Sequence, residues 1–217
     1  KYTDVTSERF GFRWFEFTNT DDESAFYING EKMKLSGINR HEQWPWIGRA
    51  ANDKLQASDA DLIKETGLNA VRCSHYPQSK SFLERCDEIG LIVFEEAPGW
   101  QDIGNDTWKE VYIENVKEMI SRDKNHPSII SWGVRVNESY DDHDLYEKTN
   151  SIAREMDSTR PTHGVRRLET YNDGECQEDL FGANYTYPDF PRIRPFIVTE
   201  HSMDWWSGDG CPGATDS

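Results

Sequence analysis

Short apolar runs alternate with longer segments of helical period through most of the chain. Seven of these runs predict strands, and the most continuous of them, at 91–96 and 129–136, indicate strands buried on both faces. Between them lie four segments with helical spacing, and Gly67 and Gly90 end the first two. The predicted strands are 35–39, 70–75, 91–96, 129–136, 162–166, 180–185 and 196–200, and the predicted helices are 52–67, 81–89, 106–125 and 141–156.

The first thirty residues follow a different pattern. Apolar and polar residues alternate over 5–17, a turn follows at Asp21-Asp22-Glu23, and a second short strand is predicted at 25–28. Asn29-Gly30 is a strong signal for a two-residue hairpin that leads into a strand at 32–38. We therefore predict two units, a β segment at 1–30 and an α/β domain at 31–217.

The order of elements in the second unit predicts a parallel sheet. An open doubly wound sheet would need a glycine-rich phosphate-binding turn after its first strand, and Gly37-Ile38-Asn39-Arg40 does not provide one. Polar residues instead close each predicted strand, where a (β/α)₈ TIM barrel keeps its active site. We therefore expect a (β/α)₈ TIM barrel that is truncated after its seventh strand, because the sequence stops at Ser217.

Net charge and amino-acid composition argue against some classes of binding partner. The formal net charge is −16, from 40 acidic and 24 basic residues, which argues against nucleic acid or a membrane surface and disfavours anionic substrates. Aromatic residues make up 12% of a chain whose mean hydropathy is −0.84, a balance that fits a polar surface with aromatic-lined clefts, and sugar-binding proteins are one group that has it. The four cysteines show no metal-ligand spacing and are expected to be free thiols.

Two carboxylates stand out among the strand ends. Glu138 follows the strand 129–136 and Glu200 closes the strand 196–200, so a barrel would direct both toward one pocket. Two carboxyl groups on opposite sides of a sugar are the apparatus of glycoside hydrolysis. The alternative is that both are ordinary surface carboxylates at strand ends.

Several blocks of the sequence, between about Phe10 and His201, resemble the signature of glycoside hydrolase family 2. They occur in the order that the family shows, and their combination is far more specific than any one of them. The blocks are Asn29-Gly30, Gly37-Ile38-Asn39-Arg40-His41-Glu42, Asn69-Ala70-Val71-Arg72-Cys73-Ser74-His75-Tyr76-Pro77, Cys86-Asp87-Glu88, Asn125-His126-Pro127-Ser128-Ile129-Ile130, Asn137-Glu138 and Thr199-Glu200.

The resemblance implies a retaining exo-β-glycosidase, and a preceding β-sandwich domain of which residues 1–30 would be the tail. Glu200 matches the nucleophile, Glu138 the acid/base, and Asn137 the residue that binds the sugar's 2-hydroxyl. Retention would place the two carboxyl groups about 5–5.5 Å apart. Glu200 should be kept ionised by nearby donors, and Glu138 should be partly desolvated or close to the other carboxylate so that it can hold a proton.

Further residues are assigned to substrate binding by the same resemblance or by their place at strand ends. His75 would bond a sugar hydroxyl, and Arg72 and Tyr185 could supply donors to Glu200. Arg40 would help to hold the nucleophile, or would balance the acidic residues of the pocket. Trp100 is one of five loop tryptophans that could stack on a sugar or simply pack within a loop, the others being Trp44, Trp46, Trp205 and Trp206.

Departures from the family pattern bear on the metal and the sugar. The Glu and His that hold magnesium in large β-galactosidases have no match in 96–102, so no metal and no other cofactor is expected. The Asn-x-Lys pair by which β-glucuronidases grip a uronate is not visible after Glu200. The favoured substrate is therefore a terminal neutral β-linked sugar, above all a β-galactoside, with β-mannosides and β-glucuronides as alternatives.

A different class of function also remains open. A barrel that lacks a strand exposes an edge, so the chain could be a catalytically incomplete, carbohydrate-binding fragment of such an enzyme. The sequence begins at Lys1 without an initiator Met, and both cytoplasmic and exported locations fit. The expected partner is a carbohydrate, with no nucleic acid and no membrane, and the sequence does not determine the oligomeric state.

Overall fold

The computed structural model of the chain describes residues 3–7, 9–19, 24–167, 176–185 and 195–201. These residues form two sheets, one antiparallel and one parallel. The antiparallel sheet contains β1 (Phe15–Asn19), β2 (Ser24–Ile28) and β3 (Glu31–Met33). The parallel sheet contains β4 (Gly37–Arg40), β5 (Ala70–Cys73), β6 (Ile92–Glu96), β7 (Ile129–Gly133), β8 (Thr162–Val165), β9 (Leu180–Asn184) and β10 (Phe196–Glu200).

The parallel sheet follows the order of the sequence from β4 to β10 and curls into a nearly closed barrel. Five strand spacings separate β5 from β10, which would be about 24 Å in a flat sheet. Yet Arg72 of β5 donates a hydrogen bond of 2.7 Å to Glu200 of β10 across the interior. The described residues thus supply seven strands of a TIM barrel, and the predicted α/β architecture is confirmed.

Within the described ranges, four helices cover the outside of the barrel, and each begins at a side-chain cap. They are α1 (Asp53–Glu65), α2 (Lys80–Ile89), α3 (Asp106–Asp123) and α4 (His143–Met156), capped by Asn52, Ser79, Asn105 and Asp142. A cap oxygen accepts a backbone N–H that the first turn leaves without a partner. The sequence-based cap of α3, Asp106, was wrong by one residue. Gly90 ends α2 in the left-handed conformation, with φ of 67°.

The predicted hairpin at Asn29-Gly30 is confirmed, with φ of 51° and 84° at the two turn residues. The strand expected at 5–17 was wrong over most of its length, since β1 begins only at Phe15. A strand needs a neighbour, and β2 offers partners from Phe15 onward. The preceding segment is held differently, because Arg13 donates to the carbonyl oxygens of Pro127 and Ile129.

The antiparallel sheet packs against the amino-terminal end of the barrel. Phe26 of β2 is 5% exposed and shares a cluster with the first residues of three barrel strands, Ala70, Ile92 and Leu180. Phe15 and Phe17 add to the same cluster. The domain boundary proposed between residues 30 and 31 lies inside the β2–β3 hairpin, because β3 pairs with β2.

Alternation along the barrel strands separates an apolar shell from a polar interior. On β6, Val93 faces the helices, whereas Ile92 and Phe94 face the axis, followed by Glu96 at the carboxyl end. The interior of the barrel is therefore apolar near the antiparallel sheet and ionic at the opposite end. No helix within the described ranges is long and apolar enough to span a membrane.

Candidate active site

A buried ionic layer lies across the barrel interior at its carboxyl-terminal end. Arg72 donates from Nε to Glu96 at 2.5 Å, and its two terminal nitrogens reach Glu200 and Asn137, each at 2.7 Å. Glu96 also lies within 3.3 Å of His163. Burial alone would raise the pKa of the Glu96 carboxyl, but Arg72, together with hydrogen bonds from His163 and His75, holds that pKa well below its ordinary value.

Glu200 has a donor on each of its carboxylate oxygens. Arg72 bonds Oε1, and the Tyr185 hydroxyl makes a short hydrogen bond to Oε2. His75 Nε2 lies 3.7 Å from Oε1. Burial first, and then the bond to Glu200, raises the pKa of the Tyr185 hydroxyl, so this group stays protonated and donates. The expected donors to Glu200, Arg72 and Tyr185, are therefore both in place.

Asn137 lies next to this layer and has a defined orientation. Its Oδ1 accepts from Arg72, and its Nδ2 lies 3.3 Å from His75 Nε2. Because the guanidinium can only donate, the amide oxygen must face Arg72, which turns the NH₂ group toward His75. Asn137 is 2% exposed, so its amide is fixed by the surrounding side chains.

Glu138 lies at the rim, in an environment that differs from the expected one. Asn184 donates to its Oε1 at 2.9 Å, and Trp100 Nε1 and Gln101 Nε2 each donate to its Oε2 at 3.2 Å. Partial burial raises the pKa of the Glu138 carboxyl, but these three hydrogen bonds outweigh it and leave the pKa below its ordinary value. The donors thus favour the carboxylate, not the protonated acid.

The structure brings most of the predicted residues together but places Arg40 elsewhere. Arg40 bonds Gln56 and Asp59 of α1, at 2.8 Å each, and its guanidinium lies over the ring of Phe82 at 4.0 Å. It therefore joins β4 to α1 and α2. Trp100 is 61% exposed, and its ring is stacked on His75 at 6.4 Å between centroids.

A family profile described as "Glycosyl hydrolases family 2, TIM barrel domain" matches residues 20–210. The chain belongs to glycosyl hydrolase family 2. A β-galactosidase of Thermoanaerobacter pseudethanolicus is 53% identical in an alignment of 202 residues that covers 88% of this chain and 26% of that protein. A β-galactosidase of Thermoanaerobacterium thermosulfurigenes is 50% identical over 190 residues, or 87% of this chain and 25% of that protein.

Solved structures agree with this family assignment. Bacteroides uniformis β-glucuronidase 2, solved covalently bound to cyclophellitol-6-carboxylate aziridine, superposes with a TM-score of 0.73 at 34% identity. The match covers 81% of this chain and 23% of that one. The family 2 domain described here thus spans about a quarter of the length of the relatives it matches.

Sequence reasoning missed several residues of this family 2 site. From the sequence, Glu96 was identified only as a polar residue at the end of a strand. Ile92, Phe94 and Glu96 are alternate residues of one strand, and this spacing could have predicted a third carboxylate inside the barrel. Gln101 and Asn184 carried no comparable signal, because their contacts with the site depend on loop and strand-end geometry, and Thr199 was noted only as part of the Thr199-Glu200 block. Trp205, Trp206 and Cys211 lie outside the described residues.

His, Cys, Asp and Glu side chains are the candidate metal ligands in the described part of the family 2 domain. Within these ranges, no group of three or more His, Cys, Asp or Glu side chains is arranged to hold a metal ion. Cys73 and Cys86 are buried free thiols, and burial raises the pKa of each well above its ordinary value. Cys176 is also free, and its pKa is raised to about 12 by burial and by the neighbouring Glu178.

Proposed function

We propose that the protein containing this chain is a retaining exo-β-glycosidase, with Glu200 as nucleophile and Glu138 as acid/base. The observation that carries the proposal is the contrast between these two carboxyl groups. Glu200 is buried beneath the pocket and held by Arg72 and Tyr185, whereas Glu138 is half-buried at the rim and held by neutral donors. The two environments suit different roles at one sugar ring.

In the first step, Glu200 attacks the anomeric carbon while Glu138 gives its proton to the departing glycosidic oxygen. The bond to the aglycone breaks as the glycosyl ester of Glu200 forms. In the second step, Glu138 takes a proton from water, and that water displaces Glu200. Arg72 and Tyr185 support both steps, because they stabilise the charge on Glu200 before attack and after release.

The donors to Glu138 fit the second step most directly. Three hydrogen bonds favour its carboxylate form, which is the form that accepts a proton from water. The first step needs the protonated form, so turnover should fall as the pH rises above the pKa of Glu138. These hydrogen bonds differ from the expectation that desolvation would keep the Glu138 carboxyl group protonated.

Asn137 is assigned to the sugar's 2-hydroxyl. Its NH₂ group is turned toward His75 by the bond that its oxygen accepts from Arg72. A donor at this position would strengthen its bond as the oxocarbenium-like transition state develops. His75, which lies between Glu200 and Asn137, is placed to bond a neighbouring hydroxyl. Trp100 presents an exposed aromatic face at the rim for stacking on the sugar or its aglycone.

A β-galactoside is the proposed substrate. The two β-galactosidases share 53% and 50% identity with this chain, against 34% for the β-glucuronidase structure. The site also contains three carboxylates, Glu96, Glu138 and Glu200, whose charge opposes a uronate. In the full-length protein, aryl β-galactoside should be turned over faster than the matching β-glucoside, β-mannoside or β-glucuronide.

The roles are tested by Glu200→Ala and Glu138→Ala in the full-length protein, with the exposed Glu155→Ala as a matched control. Each site variant should lose about a thousandfold or more in kcat on an aryl β-galactoside, since each removes a group that makes or breaks a bond. Added azide should rescue Glu200→Ala to the α-glycosyl azide and Glu138→Ala to the β-glycosyl azide. The Glu155→Ala variant should match wild type.

Two results would overturn the assignment. Undiminished turnover in either site variant would remove that residue from the mechanism. A wild-type protein that binds the sugar but turns over none of the four aryl glycosides would favour the carbohydrate-binding alternative.

A further inference from the structure

Glu138 is held from two sides by elements that are far apart in the sequence. The loop after β6 supplies Trp100 and Gln101, which both donate to Oε2. The end of β9 supplies Asn184, which donates to Oε1 at 2.9 Å and makes the shortest of the three bonds. The contact from β9 is the one that connects Glu138 to the strand next to the nucleophile.

The orientation of Asn184 is set by a second contact. An ionised carboxylate can only accept, so the Asn184 NH₂ must face Glu138 and its Oδ1 must face away. The Thr199 hydroxyl lies 2.6 Å from that Oδ1 and 3.0 Å from the Ala183 carbonyl oxygen, and its one proton favours the shorter bond, to Asn184. Thr199 and Asn184 are 8% and 1% exposed, so water has little access to this bond.

Two consecutive residues at the end of β9 donate hydrogen bonds to the two carboxylates, one to each. Asn184 pairs with Glu200 in the sheet register, and the next residue, Tyr185, donates its hydroxyl to Glu200. In a regular strand, consecutive side chains point to opposite faces. Tyr185 has a φ of 59°, in the left-handed region, and this turn of the backbone lets both side chains reach the pocket.

We propose that Asn184 is a positioning residue which, oriented by Thr199, fixes the carboxylate of Glu138 relative to the strand that carries Glu200. The inference rests on the proposed function, because it assigns Asn184 a task only if Glu138 is the acid/base. The path runs from Thr199 of β10 through Asn184 of β9 to Glu138 after β7, and each link is a single hydrogen bond.

A positioning role for the acid/base has a signature that a structural role lacks. Protonation of the leaving oxygen matters most when the aglycone is a poor leaving group and little when it is a good one. Loss of Asn184 should therefore slow poor leaving groups selectively. It should also remove one donor to the carboxylate form of Glu138, which raises the pKa of that group and moves the alkaline limb of kcat/KM to higher pH.

The test compares kcat/KM on an alkyl β-galactoside and on 2,4-dinitrophenyl β-galactoside in the full-length enzyme. For Asn184→Ala, we expect a loss of about ten- to a hundredfold on the alkyl substrate, the range for a hydrogen bond to a charged group, and less than about threefold on the dinitrophenyl substrate. The alkaline limb should move upward in pH. Thr199→Val, which keeps the side-chain shape, should act in the same direction with a smaller loss.

Thr149→Val is the matched control. Thr149 is also fully buried and also has a hydroxyl bonded to protein, in its case to the carbonyl of Val134, but it lies on α4 outside the site. This variant should leave the ratio between the two substrates unchanged. It shows what the loss of a buried threonine hydroxyl does by itself.

The outcomes separate this inference from the proposed function. If Asn184→Ala and Thr199→Val slow both substrates equally, or leave both unchanged, while Glu138→Ala selectively loses the alkyl substrate, the positioning role is overturned and the acid/base assignment stands. If Glu138→Ala itself shows no dependence on the leaving group, the proposed function fails first. Should Asn184→Ala fold poorly, Thr199→Val alone decides the matter.

Discussion

At the scale of single residues, two turns of the backbone determine which side chains reach the pocket. Glu138 and Tyr185 have φ values of 53° and 59°, although neither is glycine. Left-handed backbone costs on the order of 1–3 kcal/mol at such residues and persists only where surrounding contacts require it. In both cases the residue with left-handed backbone follows an asparagine, Asn137 or Asn184. The turn lets the asparagine and the residue after it face the same site.

Tyr185 offers a test of how Glu200 is held. Tyr185→Phe removes the donor to Oε2 but keeps the ring, so kcat on an aryl β-galactoside should fall about ten- to a hundredfold. KM should change less, because the hydroxyl acts on Glu200, the proposed nucleophile. Tyr27→Phe, in β2, is the control and should match wild type; equal losses in the two variants would contradict the role of Tyr185.

At the scale of secondary-structure elements, β6 carries adjacent carboxyl groups with opposite environments. Glu96 faces the interior and is paired with Arg72. Glu95 is fully buried on the side of α2 and α3, where one oxygen accepts from the Gln78 backbone N–H and the other lacks a hydrogen-bond partner within the described structure. Burial, and then the nearby Asp123, raises the pKa of Glu95 well above its ordinary value. Strand alternation thus directs one carboxyl group to the ionic layer and the next to the side of the helices.

The environment of Glu95 predicts a pH-dependent effect on stability. In the unfolded chain the pKa of Glu95 is about 4.3, and in the folded protein it is higher. As the pH rises from the unfolded-state pKa to the folded-state pKa, ionisation of Glu95 lowers the free energy of unfolding. The charges around Glu95 are Asp123 and Arg122 of α3, with Arg122 Nη2 3.6 Å from Glu95 Oε1, and Glu42 of the loop after β4. The melting temperature of Glu95→Gln minus that of wild type should therefore be larger at pH 8 than at pH 4.

Differential scanning calorimetry of the full-length protein at both pH values measures this change. Glu84→Gln on the exposed face of α2 serves as the control and should show no gain with pH. If the melting temperatures of Glu95→Gln and wild type differ by the same amount at pH 4 and at pH 8, that result would count against a raised pKa of Glu95.

At the scale of the whole molecule, the antiparallel sheet and the ionic layer occupy opposite ends of one barrel. Phe26 fills the amino-terminal end together with Ala70, Ile92 and Leu180, and Arg72 with its partners fills the other. The hairpin therefore completes the packing of the barrel interior. Its contacts with β5, β6 and β9 make it part of the same hydrophobic core.

Phe26→Ala should consequently destabilise the barrel by about 3–5 kcal/mol, the usual range for loss of a buried phenylalanine. Phe12→Ala, at a position that is 93% exposed in this chain, should change stability by less than about 0.5 kcal/mol. Chemical denaturation of the full-length protein, followed by tryptophan fluorescence, compares the two. Equal effects would show that the hairpin is not part of the barrel core.

The sequence determined the features that depend on local patterns. Buried apolar runs predicted the barrel strands, and capping residues and glycines predicted the helix ends to within a few residues. β10 lies at 196–200 as predicted. The family blocks, through Asn137-Glu138 and Thr199-Glu200, also identified both candidate catalytic carboxylates. These signals are readable because each is carried by a few consecutive residues.

Tertiary structure alone decided which side chains meet. Curling of the sheet brought Arg72 to Glu200, and a left-handed turn brought Asn184 to Glu138. It also assigned Arg40 to the outer helices. Strand-end residues have similar patterns whether they face the axis or the helices, because the last backbone dihedrals set their direction. Those dihedrals are fixed by long-range contacts, and a linear sequence does not display them.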